Sequence, residues 1–272
     1  MSLFDTDTII GKTLFVFLII FIFTVMMKVL LVITEYLVPI FNPATNQHKR
    51  TLVSGMHSGK HMIVIPQNPN SIGTIPIFRS IDEKKGIEYS WSVWLFVDGI
   101  SPDKYKTVFF KGEMPPTQYI AEHGDGNGIN SLNNAPGMYL APNTNELLII
   151  MNTFSKTDER ITIPNLPMKK WVHVLMRGEG KRIDVYVNGT VAKSATFTSI
   201  PAQNYAPIYI CANGGFDGFL SRFVYYNKAL NIGEIKEIMK KGPNTNFDST
   251  VIPLTQDKDT SYLSKRWYDD LF

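Results

Sequence analysis

The chain has 272 residues, of which 44% are hydrophobic, 12% aromatic and 19% charged, and its formal net charge is +3. This composition is sufficient for a large folded core, and the aromatic, glycine and proline content favours strands and turns over a helical bundle. So small a net charge, without a long basic run, argues against nucleic acid as a partner. Cys211 is the only cysteine, so no intrachain disulfide can form, which favours a reducing compartment.

The first predicted element is an apolar segment from Thr13 to Ile33, which only Lys28 interrupts. Because about 20 helical residues span the hydrocarbon layer of a bilayer, we predict a single transmembrane helix over residues 13–38, after an N-terminal tail of residues 1–12. The alternative is a cleaved signal peptide. The acidic start of the chain and the absence of a small-residue cleavage site favour an anchor.

Charges on the two sides of this helix predict its orientation. The N-terminal side has one Lys and two Asp, whereas Lys49, Arg50 and Lys60 follow the helix. Positive charge accumulates on the cytosolic side of membrane helices, so we predict a single-pass protein whose large domain lies in the cytosol.

Residues 39–87 are rich in Asn, Pro, Ser and Gly and contain short apolar islands. This pattern predicts an extended stalk that adds one or two edge strands to the following domain. His57 and His61 have the spacing of metal ligands on a helix, but Gly59 between them argues against a helix. We therefore interpret residues 57–61 as a polar loop without a metal.

Short strand patterns separated by turn residues begin at residue 89. The segment Tyr89–Val97 has apolar residues at every odd position, and Trp94 and Phe96 fill the other face, which predicts a strand buried on both faces. Further strands are predicted at Thr107–Phe110, Met138–Ala141, Leu147–Thr153, Val172–Met176, Ile183–Val187, Val191–Phe197, Ile208–Ala212 and Phe219–Tyr226. We predict an all-β fold, an antiparallel sandwich of two sheets over residues 88–242.

Two turns and a helix complete this prediction. Asn188-Gly189 is the signature of a type I′ hairpin turn, which requires positive φ at both residues. The same residues start an N-glycosylation sequon, but a hairpin turn explains them and a cytosolic domain would not be glycosylated. Asn231 and Glu234 form a capping box that predicts a short helix over Ile232–Lys240, packed against the rim of the sandwich.

The order of these motifs resembles laminin-G-like domains of the concanavalin A-like lectin/glucanase superfamily. The strand from Tyr89 is similar to the first core strand of that superfamily. Trp171–Val174, followed by Ile183–Gly189, resembles a strand pair of the family, and Gly215–Phe219 with Val224–Leu230 resembles its closing motif. The resemblance implies a jelly-roll sandwich, but this fold has many functions.

The strand pattern, the hairpin turn and this resemblance give a set of residues structural roles in packing or in the turn. These residues are Trp91, Trp94, Trp171, His173, Asn188 and Gly189.

Hydrolytic members of the superfamily use paired carboxylates on one strand, one as nucleophile or base and the other as acid. This sequence has no such run. Its nearest acidic pairs, Asp82-Glu83 and Asp158-Glu159, are adjacent residues in loop-like segments, where their side chains diverge. We therefore predict no catalytic residues and no enzymatic activity.

A long Gly- and Asn-rich loop over residues 123–134 supplies oxygen atoms at Asp125, Asn127 and Asn130. Relatives bind Ca²⁺ or glycans from loops at the sandwich edge, and Asp217 would be a further ligand by resemblance. One carboxylate among neutral amides would bind Ca²⁺ weakly at best, so a loop without metal is favoured. We predict no cofactor beyond this weak Ca²⁺ option.

Residues 243–272 form a polar tail with an aromatic, charged end. Such a segment buries too little apolar surface to fold alone, and its end is typical of a docking peptide. The residues predicted to contact a partner are Lys265, Arg266, Trp267, Tyr268, Leu271 and Phe272. The alternative is a tail that packs back on its own domain.

Three functions are compatible with these features. The first is a non-enzymatic structural or interaction protein, and the architecture resembles membrane-anchored minor capsid proteins of large icosahedral DNA viruses. That resemblance implies a link between an internal virion membrane and capsid shell proteins. The second is a membrane-displayed glycan-binding module, which an exposed aromatic platform beside polar loops would favour. The third is a glycan hydrolase, which facing carboxylates about 5–9 Å apart would favour.

Overall fold

The computed structural model describes residues 9–41, 48–84, 86–116, 126–130 and 132–247. The chain divides into two compact units, Met1–His48 and Lys49–Phe272, which are described separately.

The N-terminal unit contains one helix, α1, Ile9–Phe41. Within it, the span Gly11–Ile33 is long and apolar enough to cross a membrane, and none of the most apolar window is buried in protein. The hydroxyl of Thr24 donates to the carbonyl oxygen of Ile20 at 2.6 Å, so this polar group is satisfied within the helix. Membrane anchors and signal sequences share this length and composition.

The second unit is a sandwich of two antiparallel sheets, as the strand pattern predicted. The first sheet contains β1 (Lys49–Ser58), β3 (Ile81–Glu83), β4 (Gly86–Val97), β9 (Trp171–Glu179), β10 (Arg182–Val187), β11 (Thr190–Thr196) and β13 (Gly218–Tyr226). Its order is β1-β13-β4-β9-β10-β11, and β3 pairs with the start of β4.

The second sheet contains β2 (Ile63–Ile65), β5 (Lys106–Lys111), β6 (Gly137–Leu140), β7 (Leu147–Met151), β8 (Glu159–Ile163) and β12 (Ile208–Ile210). Its order is β2-β12-β5-β6-β7-β8. Strands β1 and β2 each form an edge of one sheet, and both come from the segment that the sequence marks as a stalk.

The central strand β4 is buried on both faces, as its residue pattern predicted. Trp91 points into the core between the sheets, where its ring centroid lies 5.3 Å from that of Phe109 and 4.7 Å from that of Tyr225. Its neighbour Ser92 is buried on the opposite face, where the hydroxyl lies 2.8 Å from a ring nitrogen of His173.

The outer face of the first sheet is covered by the chain that follows β13, including helix α2 (Ile232–Lys241). Asn231 and Glu234 form the predicted capping box. The predicted position of the helix at the rim is wrong. Ile235 packs on Leu175 of β9 and on Leu230, because a central strand presents an apolar side chain on this outer face.

Candidate functional site

The predicted Ca²⁺ ligands have the following surroundings in the described part of the chain. Asp125 lies outside the described residues. The side chain of Asn130 donates to the carbonyl oxygens of Glu113 and Asn133, whereas Asp217 forms an ion pair with Lys60 at 2.9 Å.

The side-chain oxygen of Asn127 accepts from the backbone of Ile129. Within the described ranges, no group of three or more His, Cys, Asp or Glu side chains could hold a metal. His57, which the sequence placed in a polar loop, lies in β1 and donates from Nε2 to the carbonyl oxygen of His61 at 2.7 Å.

The sequence placed two acidic pairs in loop-like segments, but Asp82 and Glu83 lie in strand β3 and Glu159 begins strand β8. Asp158 forms an ion pair with Arg160 at 2.7 Å, and Glu159 accepts a hydrogen bond from the backbone of Thr198 at 2.9 Å. Both carboxylates of this second pair therefore form contacts within the fold.

Most of the aromatic residues assigned structural roles lie in the interior. Trp91 and Trp94 are buried, whereas Trp171 is half-buried and its ring lies 5.8 Å from that of Phe96. His173 is fully buried, and this burial lowers the pKa of its imidazole to about 4, so the ring is neutral at physiological pH.

Asn188 and Gly189 form the turn between β10 and β11, with φ values of 50° and 77°. The side-chain oxygen of Asn188 also accepts a hydrogen bond from the backbone of His173 at 2.9 Å. The turn residues therefore connect this hairpin to the neighbouring strand β9.

The predicted partner-contacting residues 265–272 lie outside the described residues, which end at Phe247. The segment that leads to them runs beside the edge strand β1. Its residue Asn246 accepts a hydrogen bond from the backbone of Met56 at 2.7 Å, and Asn244 donates to the carbonyl oxygen of Ser54.

A cleft of about 280 Å³, which we call the end cleft, opens at one end of the sandwich. Trp91 and Tyr225 of the first sheet and Lys111 and Met151 of the second line it, together with residues 76–79 and 200–205 of two loops. The cleft therefore reaches the core between the two sheets.

Three large apolar side chains lie beside this cleft and remain exposed to solvent. The exposed fractions are 78% for Phe154, 40% for Ile200 and 88% for Tyr205. Apolar side chains grouped at the entrance of a concave site are typical of surfaces that bind a ligand or another protein.

Lys111 is the principal charged group of the end cleft and is only 4% exposed. Its Nζ donates to the backbone and side-chain oxygens of Asn204, at 2.8 and 3.0 Å, and to the carbonyl oxygen of Ala206 at 2.7 Å. Burial lowers the pKa of Lys111 to about 8, and the charge of Glu113 opposes this shift. The cleft therefore contains an ammonium group that neutral oxygens solvate.

Two buried tyrosines, Tyr89 and Tyr225, are among the residues that line the end cleft. Tyr225 lies 3.2 Å from the hydroxyl of Ser80, and burial raises the pKa of Tyr225 to about 12. The buried hydroxyl of Tyr89 has no hydrogen-bond partner among the residues that the structure describes. An unpaired buried hydroxyl costs free energy, so Tyr89 lowers the stability of this part of the core.

The sequence analysis missed the end cleft because its residues come from distant loops. Two signals were available. Lys111 is a charged residue at the end of an apolar strand, and Ile200–Tyr205 combines proline, amide and aromatic residues between two strands.

A family model described as the concanavalin A-like lectin/glucanases superfamily matches residues 78–236, more than half of the 272 residues. The chain belongs to this superfamily, which confirms the resemblance of its motifs.

Several solved structures are similar to this chain. The receptor-binding domain of botulinum neurotoxin C/D mosaic serotype matches with a TM-score of 0.50 and 12% identity, over 71% of this chain and 46% of that chain. The binding domain of botulinum neurotoxin DC in complex with rat synaptotagmin II has a TM-score of 0.47 and 12% identity, over 71% and 45%.

The ligand-binding domain of botulinum neurotoxin serotype D, in complex with N-acetylneuraminic acid, has a TM-score of 0.47 and 13% identity, over 71% of this chain and 45% of that chain. Identities this low show the fold alone. This chain covers less than half of the length of these neurotoxin domains. No curated protein matches the sequence.

Proposed function

We propose that this chain is a membrane-anchored, non-enzymatic interaction protein whose sandwich binds a partner protein through the end cleft. The observation that carries this proposal is the group of exposed side chains Phe154, Ile200 and Tyr205 beside an apolar cleft. Protein interfaces concentrate their binding energy in a few aromatic or aliphatic side chains that fill such pockets.

The chemistry of the cleft supports a binding role rather than catalysis. None of the described residues that line it is an Asp or a Glu. Glycoside hydrolysis requires a carboxylic acid and a carboxylate on opposite sides of the scissile bond, and the described lining residues of the cleft supply neither group. Lys111 has all three of its donors engaged by neighbouring oxygens, which leaves it without a free donor for acid catalysis.

In this proposal, helix α1 anchors the protein in a bilayer and the sandwich lies on the cytosolic side, as the flanking charges favour. The wider setting is an assembly that joins a membrane to a protein shell, as in a virion with an internal membrane. The long apolar span Gly11–Ile33 supports the anchor.

The test uses the full chain in the membranes where it occurs, extracted with a mild detergent. Phe154→Ser combined with Tyr205→Ser should reduce recovery of the partner protein with the chain at least tenfold, because interface aromatics contribute about 2 kcal/mol or more each. Val191→Ser, at a residue of strand β11 that is 49% exposed, is the matched control. Equal recovery with the double variant would contradict a partner in the end cleft.

Glycan binding at the same cleft is a second candidate. The exposed ring of Tyr205 lies next in sequence to the amides of Gln203 and Asn204, and an aromatic surface beside amides suits a sugar ring. This function predicts that the detergent-solubilised chain binds immobilised glycans and that Tyr205→Ser abolishes this binding without changing recovery of proteins.

A further inference from the structure

The charge of the end cleft restricts what can occupy it. Two cationic side chains, Lys111 and Arg79, line the cleft, and no described lining residue is acidic. A third cation, Arg50, contacts the lining residue Phe78, and its guanidinium carbon lies 3.8 Å from the ring centroid of Phe78. The hydrogen bonds of Lys111 go to neutral oxygens, and the described lining residues include two cations and no acid, so the cleft favours a ligand with negative charge.

The size and lining of the end cleft restrict the ligand further. An apolar cavity of about 150 Å³ in another protein holds one benzene ring, so a cleft of about 280 Å³ holds an aromatic ring and one further side chain. The matching chemistry is a peptide segment in which carboxylates are flanked by large apolar side chains.

One such segment is present in the chain itself. Residues Trp267–Phe272 read Trp-Tyr-Asp-Asp-Leu-Phe, with Asp269 and Asp270 between aromatic and aliphatic side chains. The last described residue, Phe247, forms an isolated β-bridge with Met56 of strand β1. Met56 in turn pairs with Ser221 of strand β13. The distance along strand β13 from Ser221 to Tyr225, which lines the cleft, is roughly 13 Å.

Residues 248–266 connect Phe247 to this segment, and a chain of that length spans up to about 60 Å when extended. The segment can therefore reach the cleft of its own chain. A tethered ligand within reach has an effective concentration on the order of millimolar. The segment of a second copy competes with it only when the chain itself is present at about that concentration.

We propose that Trp267–Phe272 docks in the end cleft of its own chain, with the Asp269-Asp270 carboxylates toward Arg79 and Lys111 and the aromatic side chains against Phe154 and Tyr205. This inference rests on the proposed function of the cleft as a docking site. It implies that the docked segment and a partner protein compete for the end cleft. A partner protein must therefore displace the segment in order to bind.

The test measures binding of a fluorescein-labelled peptide of residues 265–272 to the full chain and to a variant ending at Ser264, both in detergent micelles. The shortened chain should bind the peptide at least tenfold more tightly than the full chain. A peptide with both aspartates replaced by asparagine should bind the shortened chain at least tenfold more weakly. In the full chain, Asp269→Asn with Asp270→Asn should restore binding of the labelled peptide, whereas the control Asp257→Asn with Asp259→Asn should not.

Equal affinity of the peptide for both chains would overturn self-docking. Affinity for the full chain that falls as the chain concentration rises would place the segment of a second copy in the cleft and would also overturn it. Absence of peptide binding, while Phe154→Ser with Tyr205→Ser still loses the partner protein, would overturn this inference and leave the proposed function standing. Absence of both effects would overturn both.

Discussion

Acidification should destabilise the sandwich through one buried side chain, His173. The imidazole has no exposure to solvent, and its burial lowers the pKa to about 4 from an ordinary value of 6.5. Above pH 6.5 the ring is neutral in the folded and the unfolded chain. Between pH 6.5 and 4, the unfolded chain takes up a proton that the folded chain excludes, so the free energy of unfolding falls as the pH falls.

The magnitude follows from this difference in pKa. A difference of about 2.5 pKa units corresponds to roughly 3 kcal/mol, which is present above pH 6.5 and lost by about pH 4. A loss of this size is a large share of the 5–15 kcal/mol by which folded domains are typically stable.

The assay is urea unfolding of the full chain in non-denaturing detergent, followed by tryptophan fluorescence at several pH values from 7 to 4. His173→Gln lowers stability at every pH, because it alters packing against Trp94 and the contact with Ser92. The variant should nevertheless lose roughly 3 kcal/mol less than the parent over this pH range. His61→Gln, which removes an exposed imidazole, is the matched control. Parallel pH dependences of the parent and His173→Gln would refute the reasoning.

Three other expectations follow from the packing and the chemistry. Trp91→Ala should lower the free energy of unfolding by about 3–5 kcal/mol, because the ring is 3% exposed; an unchanged urea midpoint would contradict its core position. Gly218→Ala should destabilise by more than about 2 kcal/mol, because φ is 145° and a Cβ would lie 1.9 Å from the carbonyl oxygen of Phe96; Gly233→Ala on helix α2 is the control in the same unfolding assay. The full chain should release no reducing sugar from β-glucans, and activity above that of a detergent blank would show that a carboxylate pair had been overlooked.

Local patterns predicted much of the fold. The alternation along Tyr89–Val97 indicated a doubly buried strand, and Asn188-Gly189 and the capping box at Asn231 marked a turn and a helix start, because each depends on neighbouring residues only. The position of helix α2 was missed because it depends on Leu175, which is far away in sequence.

The end cleft was missed for the same reason. Its walls come from residues 76–79, Phe154 and residues 200–205, and only the pairing of strands brings these segments together. Sequence periodicity identifies which face of a strand is apolar but not which loops meet at the end of a sandwich. The local sequence signal for the cleft is a charged residue at the end of an apolar strand, such as Lys111.

The most direct test of the account is photo-crosslinking from the end cleft in the membrane where the protein occurs. A photoreactive phenylalanine analogue replaces Tyr205 in the full chain, and in a control chain it replaces Val191 on the exposed strand β11. The account predicts adducts with a second protein from position 205 and none from position 191. Absence of protein adducts at position 205, or the same adducts in equal yield from both positions, would contradict binding of a partner protein in the end cleft.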